Sequence, residues 1–244
     1  MEDFDKLREK AILLAKKNIR ESICEDEFII HAINNIDELA KITNVLTKRL
    51  IDWYALYLPE ISKKISDHET FVKVILTKKR NELIEEYQLK ESMGTELSDK
   101  DYEPINNLAL KISTLYELRD ELKNYLEKVT SSYCKNCYTL AGSLLSAKLI
   151  RAGGSLKKLA MMHSSKIQLL GAETALFRHL KTGARPPKHG IILQHTLVGS
   201  AKKSERGKRA RVFADKIAIA IKTDYFKGEF IGDKLKKDLE EKFK

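Results

Sequence analysis

Acidic residues are scarce in one long stretch of this 244-residue chain. Residues 145–228 hold 4 Asp/Glu against 18 Lys/Arg, a net of +14. By contrast, residues 1–144 hold 26 Asp/Glu and 22 Lys/Arg, and residues 229–244 hold 5 of each. The shortage leaves a metal-dependent nuclease centre in the basic stretch without carboxylate ligands. It also leaves most of the cations without a local counter-charge. Such a surface attracts polyanions and gains affinity by releasing their counterions. A merely solubilising surface is the plainer alternative, and it fits less well with so few acids.

Other absences narrow the function further. No run of eighteen apolar residues exists, so no membrane-spanning helix is expected. The N-terminus, MEDFDKLREK, carries acids where a secretory signal needs an apolar run, so a cytoplasmic, intracellular protein is expected. Cysteine is limited to Cys24, Cys134 and Cys137. The last two have C-x-x-C spacing, but no second pair or nearby histidine pair completes a zinc site. A thioredoxin-type motif would need a βαβ setting, which this helical region lacks. Reduced thiols at a helix junction are expected. Neither GxxxxGKS/T nor GxGxxG occurs. His163, His179, His189 and His195 match no compact site such as HExxH. No enzyme, cofactor or metal site is therefore expected.

Helical periodicity is abundant. Residues 1–22 read as an amphipathic helix through Leu7, Ala11, Leu14 and Ala15. From Asp26 to Tyr57, residues Ile29, Ile33, Ile36, Ala40, Thr43, Thr47, Leu50, Tyr54 and Tyr57 form a heptad seam weakened by two threonines. Leu39, Ile42, Leu46 and Trp53 make a second stripe, which predicts packing on two sides. Pro59 should end this helix. Residues 66–90 read as one further helix. Ser98 and Asp101 resemble a capping box, and Pro104 fits a first turn. Ile105, Leu108, Ile112, Leu115, Arg119, Leu122, Leu126 and Val129 then repeat at steps of three and four, with Arg119 the polar exception. The two long helices could pair as an antiparallel coiled coil or pack as an ordinary bundle.

Beyond residue 140 the segments are shorter and basic. Helices are expected at 141–151, 155–162 and 172–181. The run IILQHTLVG is helical or extended by periodicity alone, and KKSERGKRAR reads as a basic loop before another helix. Gly171 opens the 172–181 helix with little side chain in the way, which suits phosphate approach. Glu173 either complements the helix dipole or accepts a hydrogen bond from a base or a partner. Arg178 and Lys181 follow. Arg185 and Lys188 flank Pro186-Pro187, a stiff loop that presents cations at low ordering cost. His189 and His195 offer rings for stacking or phosphate contact, or serve structure instead. The run from Lys202 to Arg211, including Lys208 and Arg209, suits polyanion contact or plain solvation.

These residues resemble a known family. GAETALFRHLKTGARPPKHGIILQHTLVG is similar to the signature of the Nop domain, found in box C/D ribonucleoprotein core proteins and in a related splicing factor of the U4 particle. LIRAGGSLKKLA, RARVFADKIAIAIKTDYF, TKRLIDWYALYLPEI and ESMGTELSDKDYEPI look like further elements of that family, in collinear order over about residues 25–228. The resemblance implies an all-α fold, with a protruding antiparallel coiled coil (26–135) and a compact helical Nop domain (136–228). A helical stub (1–25) and a charged tail (229–244) would flank them. It implies a scaffold without catalytic residues, archaeal in type. Such a scaffold binds a kink-turn guide RNA jointly with a small ribosomal-protein-like RNA-binding protein. It implies a homodimer through the coiled coil. A fibrillarin-type methyltransferase, which modifies RNA ribose 2′-hydroxyls, joins such proteins through an N-terminal domain that has no counterpart here. Carried over by position, the RNA and partner surface comprises Gly171, Ala172, Glu173, Arg178, Lys181, Arg185, Lys188, His189, Gln194 and His195. Lys208 and Arg209 come from the basic run, which differs from the family pattern.

Overall fold

Residues 2–89 and 92–243 are described by this computed structural model, and every regular element among them is helical. None of these helices is long and apolar enough to cross a membrane. Two compact units are present: Asn34–Asn124, and Met1–Ile33 joined to Tyr125–Lys244. The chain enters through α1 (Glu2–Ser22), whose side chains from residue 4 onward are all exposed.

Within 34–124, α2 (Glu25–Tyr54) lies antiparallel to α6 (Asp99–Tyr133). The contact order shows the direction. Tyr57, just past α2, meets the Tyr102 ring at 5.2 Å, while the earlier Thr47 meets the later Tyr116 hydroxyl at 3.3 Å. The α2 seam is buried at Ile36, Thr43, Thr47, Leu50 and Tyr54. Its threonines are satisfied, since Thr43 also donates to the Leu39 carbonyl at 2.8 Å, so neither leaves a buried orphan. On α6 the buried line is Ile105, Ala109, Ile112 and Tyr116. Leu108 and Leu115, expected in the seam, are half-buried. The line shifts because α6 faces a shared core that also takes in Ile61, Phe71, Val72 and Leu83 from the short helices.

Those short helices are α3 (Pro59–Lys64), α4 (His68–Thr77) and α5 (Arg80–Glu86). Pro59 opens α3 as well as following α2. The single helix expected at 66–90 is two, with extended backbone at Lys78 and Lys79. Cap chemistry marks the break, where Glu82 accepts from Lys79 N at 3.1 Å to open α5. Asp67 opens α4 in the same way, accepting from Thr70 N at 2.8 Å. Arg119, the polar seam position, donates to Glu69 Oε2 at 2.7 Å and lies over the Tyr116 ring. The second stripe of α2 does not pack as expected. Leu39 is buried, but Ile42 and Trp53 are exposed, as are Val45 and Leu56. The helices of this unit cover one side of α2 and leave an open apolar stripe on the other.

The other unit contains α7 (Lys135–Gly153), α8 (Leu156–Ala160), α9 (Ser164–Leu169) and α10 (Glu173–Thr182). A 3-10 turn (Ile191–Gln194), α11 (Thr196–Gly199), α12 (Arg206–Tyr225) and α13 (Gly232–Phe243) complete it. At its centre, α12 buries Phe213, Ile217 and Ile221 and packs on α7, α8, α9 and α13. Small residues at Ala210, Ala214 and Ala218 let those neighbours approach closely. The basic run expected as a loop is half helix, because α12 already begins at Arg206. The segment expected as a charged tail forms α13, with Leu235 and Leu239 buried.

Two carboxylates, buried Asp26 and half-buried Asp224, tie this unit together. Asp224 accepts from Asn136 N at 3.0 Å and Cys137 N at 2.9 Å, capping α7. Asp26 accepts from Leu156 N at 3.1 Å, at the start of α8. Burial raises both carboxyls above the usual range despite these donors. Cys134 and Cys137 are buried beside them, and burial pushes the Cys137 thiol up to about 12.

Candidate nucleic-acid interface

Helix α10 is short of neighbours. It has no buried residue, and Phe177 and Leu180 are 60% and 69% exposed. Arg178 and Lys181, three residues apart, share one helical face. The apolar pair lies on the adjoining stripe. An amphipathic helix normally hides its apolar side in its own core. This one presents apolar and cationic stripes together, on the surface.

The start of α10 is shaped by a left-handed glycine. Gly171 has φ +81°, and a Cβ there would collide with the Ile191 side chain. Its N–H donates to Glu173 Oε1 at 2.7 Å. That bond leaves the first-turn amides of α10 as the donors at this helix end. Ala172 is the half-buried residue between them. Glu173 closes this turn.

The loop after α10 is pinned at both ends. Gly183 ends the helix in the left-handed region, and the Ala184 carbonyl accepts from His179 Nδ1. Farther on, Gln168 Nε2 donates to the Lys188 carbonyl at 2.6 Å, and Gly190 N and Ile191 N donate to Gln168 and Leu170 carbonyls at 2.8 Å each. Gly190 sits so close to the Leu170 carbonyl that any side chain would clash. Between these pins Arg185 and Lys188 stand exposed. Half-buried His189 is held below the usual histidine pKa, first by burial and then by the nearby Arg206 charge.

The remaining expected residues divide. Gln194 is exposed and accepts from Lys148 Nζ at 2.9 Å. His195 turns inward. Its ring stacks on Phe213 at 4.4 Å, and Nδ1 accepts from Leu197 N at 3.3 Å. Of the roles expected for His195, the ring packing on Phe213 fits the structural one. Arg209 also faces inward, over the Phe243 ring and 3.5 Å from Glu205. Arg206 does likewise, donating to the Ala201 and Gly199 carbonyls at 3.0 Å each. Lys208 and Arg211 project outward from α12. Lys208 and Arg211 share a groove with Arg185 and Lys188, whereas Arg178 and Lys181 lie outside it. Sequence reading did not single out Arg211 or the bracing role of Arg206. Had the helix been expected to start at 206, the three-residue step from Lys208 would have paired Arg211 with it.

Comparison with known proteins decides the family. Residues 35–244 match the Nop family, described as "snoRNA binding domain, fibrillarin". The chain belongs to the Nop family. An uncharacterized NOP5 family protein of Methanocaldococcus jannaschii is 40% identical over 96% of this chain and 61% of its own length. Nucleolar protein 58 of Saccharomyces cerevisiae is 37% identical over 82% of this chain and 42% of its own length. The chain thus spans less than two thirds of these Nop relatives. Among solved structures, a crystal structure of a fibrillarin/Nop5p complex matches with a TM-score of 0.58 and 25% identity, covering 98% of this chain and 77% of that one.

Proposed function

We propose that this Nop-family chain is a non-catalytic scaffold of a box C/D-type small ribonucleoprotein inside the cell. It binds a kink-turn RNA jointly with a small ribosomal-protein-like RNA-binding protein. The observation that carries this reading is α10, with Phe177 and Leu180 exposed beside Arg178 and Lys181. An apolar stripe suits a protein partner, and a cationic stripe suits phosphate. Two modest interfaces side by side make a composite site that neither partner fills alone. Arg185, Lys188 and Lys208 extend the cationic side, and Gln194 lies at its edge. Gly171, Ala172, Glu173, His189, His195 and Arg209 hold the frame.

Self-association belongs to the same reading. The open stripe of Ile42, Val45 and Trp53 on α2, with Leu56 just past its end, suits a second copy of the chain, giving one scaffold with two RNA sites. A fibrillarin-type methyltransferase is a partner of the assembly, in keeping with the solved fibrillarin/Nop5p neighbour. It supplies the 2′-O-methylation chemistry, and this chain supplies position.

Reconstitution with a kink-turn RNA, with and without the small partner, tests the proposal. The expected result is a stable complex only with both, at a mass corresponding to two scaffold copies. Assembly unchanged by Arg178→Ala/Lys181→Ala, in affinity and in salt dependence, would refute the placement of the site.

A further inference from the structure

Within the 34–124 unit, one arginine is short of acceptors. Arg80 opens α5, and only 13% of its side chain is exposed. It lies over the Tyr57 ring at 5.0 Å, and Nη2 donates to the Gly94 carbonyl at 3.0 Å. Its Nε is the one buried side-chain nitrogen or oxygen among the described residues without a hydrogen-bond partner. The counter-charge is loose. Glu96 Oε1 stands 3.6 Å from Nη1, on a side chain that is 94% exposed. Glu60, near enough to feel the arginine, gives its oxygens to Met93 N at 2.8 Å and Ser92 Oγ at 3.0 Å. A charge drawn out of water without a firm partner is costly, and its retention calls for a cause.

Arg80 borders a cleft of about 660 Å³ where the end of α4, the start of α5 and the start of α6 meet. Tyr57 and Tyr102 form part of its wall. Asn81 and Asn106 line it too, and among the described residues neither spends its side-chain amide on a hydrogen bond. We propose that this cleft binds an extended peptide of another protein, one carboxylate of which completes the ion pair of Arg80. Three cations and two carboxylates line the cleft, and one of the cations, Lys78, is already held by Glu86. That balance suits a ligand with a single negative charge better than a phosphate chain, which brings one per nucleotide. Each asparagine amide carries both a donor and an acceptor, as each peptide unit does, so the two hold a main chain of any sequence. The tyrosine rings seat an apolar side chain beside the carboxylate. That carboxylate displaces Glu96 from the Nη1 side. The guanidinium shares its charge over all three nitrogens, so one acid serves the whole group. The recognised feature is an acid flanked by apolar residues in an unfolded segment. The site uses none of the residues of the RNA surface.

Fluorescence anisotropy with the full chain tests this. The probe is a labelled, end-blocked pentapeptide with glutamate between two leucines, set against its glutamine counterpart. The wild type should bind the glutamate peptide about tenfold more tightly, the scale of a hydrogen bond to a charged group. Arg80→Gln should abolish that preference. Glu96→Gln should tighten the glutamate peptide about threefold, because it removes the resident competitor. Its position is too exposed for the change to disturb folding. Asn81→Ala/Asn106→Ala should weaken both peptides alike, since the amides hold main chain. Should Arg80→Gln fail to fold, the other two variants carry the test. No binding of the glutamate peptide, equal binding of the two peptides, or no gain from Glu96→Gln overturns the proposal. Displacement of the peptide by an unstructured uridine oligonucleotide gives the cleft to RNA and overturns it too. Arg178→Ala/Lys181→Ala should bind the peptide as the wild type does, so failure at this cleft leaves the RNA reading standing, and the reverse.

Discussion

The two compact units handle charge in opposite ways. In 34–124 several carboxylates at or near the surface are paired. Glu69 holds Arg119 and Lys73, Asp120 holds Arg119 and Lys123, and Glu86 holds Lys78. In the basic unit two carboxylates, Asp26 and Asp224, are drawn inside to cap helices, while Arg185, Lys188, Lys208 and Arg211 stay outside and unpaired. Ion pairs in the first unit link helices at the surface. In the second, carboxylates drawn inside cap helices while a set of cations stays unpaired on the surface, around an apolar core centred on α12. Exposed unpaired cations add little to folding and suit the RNA contact proposed above.

Substitutions can break this contrast. The largest stability effect is expected at Asp224→Ala, which strands the Asn136 and Cys137 amides at the buried start of α7. A cost on the order of 3 kcal/mol is expected in chemical denaturation, because each unsatisfied buried donor costs about 1–3 kcal/mol. A loss within ~0.5 kcal/mol, the usual range of surface changes, would show that this carboxylate is no cap. Next comes Phe177→Ala/Leu180→Ala on α10. Partner-dependent RNA assembly should fall at least tenfold while stability stays within ~0.5 kcal/mol. A matching fall in stability would place these side chains in a core instead. Arg119→Met should cost about 1 kcal/mol, since it breaks a partly exposed ion-pair network while keeping most of the stem that packs on Tyr116.

The smallest effect is on pH dependence, and its sign differs between the units. Hydrogen bonds from Lys73 and Arg119 lower the Glu69 carboxyl, and those from Lys123 and Arg119 lower that of Asp120. Their contribution is present above the unfolded pKa and is lost as pH falls through the folded one. Asp26 and Asp224 are raised by burial, so the folded state holds their protons more tightly than the unfolded chain does. Stability from that source rises as pH falls through the raised value. Mild acid should thus weaken 34–124 first. Trp53, the single tryptophan, lies in that unit and reports it by fluorescence, while circular dichroism follows all the helices. Transitions that shift together on acidification would contradict the contrast.

Much of this was legible in residue order. The α2 seam was readable because its apolar positions repeat with the helix itself, and two threonines could bond locally without shifting it. The basic surface was readable because charge composition survives folding unaltered. The break at Lys78 and Lys79 was harder, since short-range caps overruled a noisy apolar period. Inward-facing His195 and Arg209 could not be told from outward-facing Lys208 and Arg211. All four lie in one basic run or beside it, and only packing against Phe213 and Phe243 separates them.

Sequence alone therefore determined the helical class, the family and the location of the cationic half. Periodicity, composition and long collinear motifs are properties of the chain in order. Tertiary structure alone decided which cations are free, that α10 keeps its apolar stripe outside, and that the proline loop meets α12 across a groove. Those are facts about residues far apart in the chain, whose contacts are set by how the helices pack.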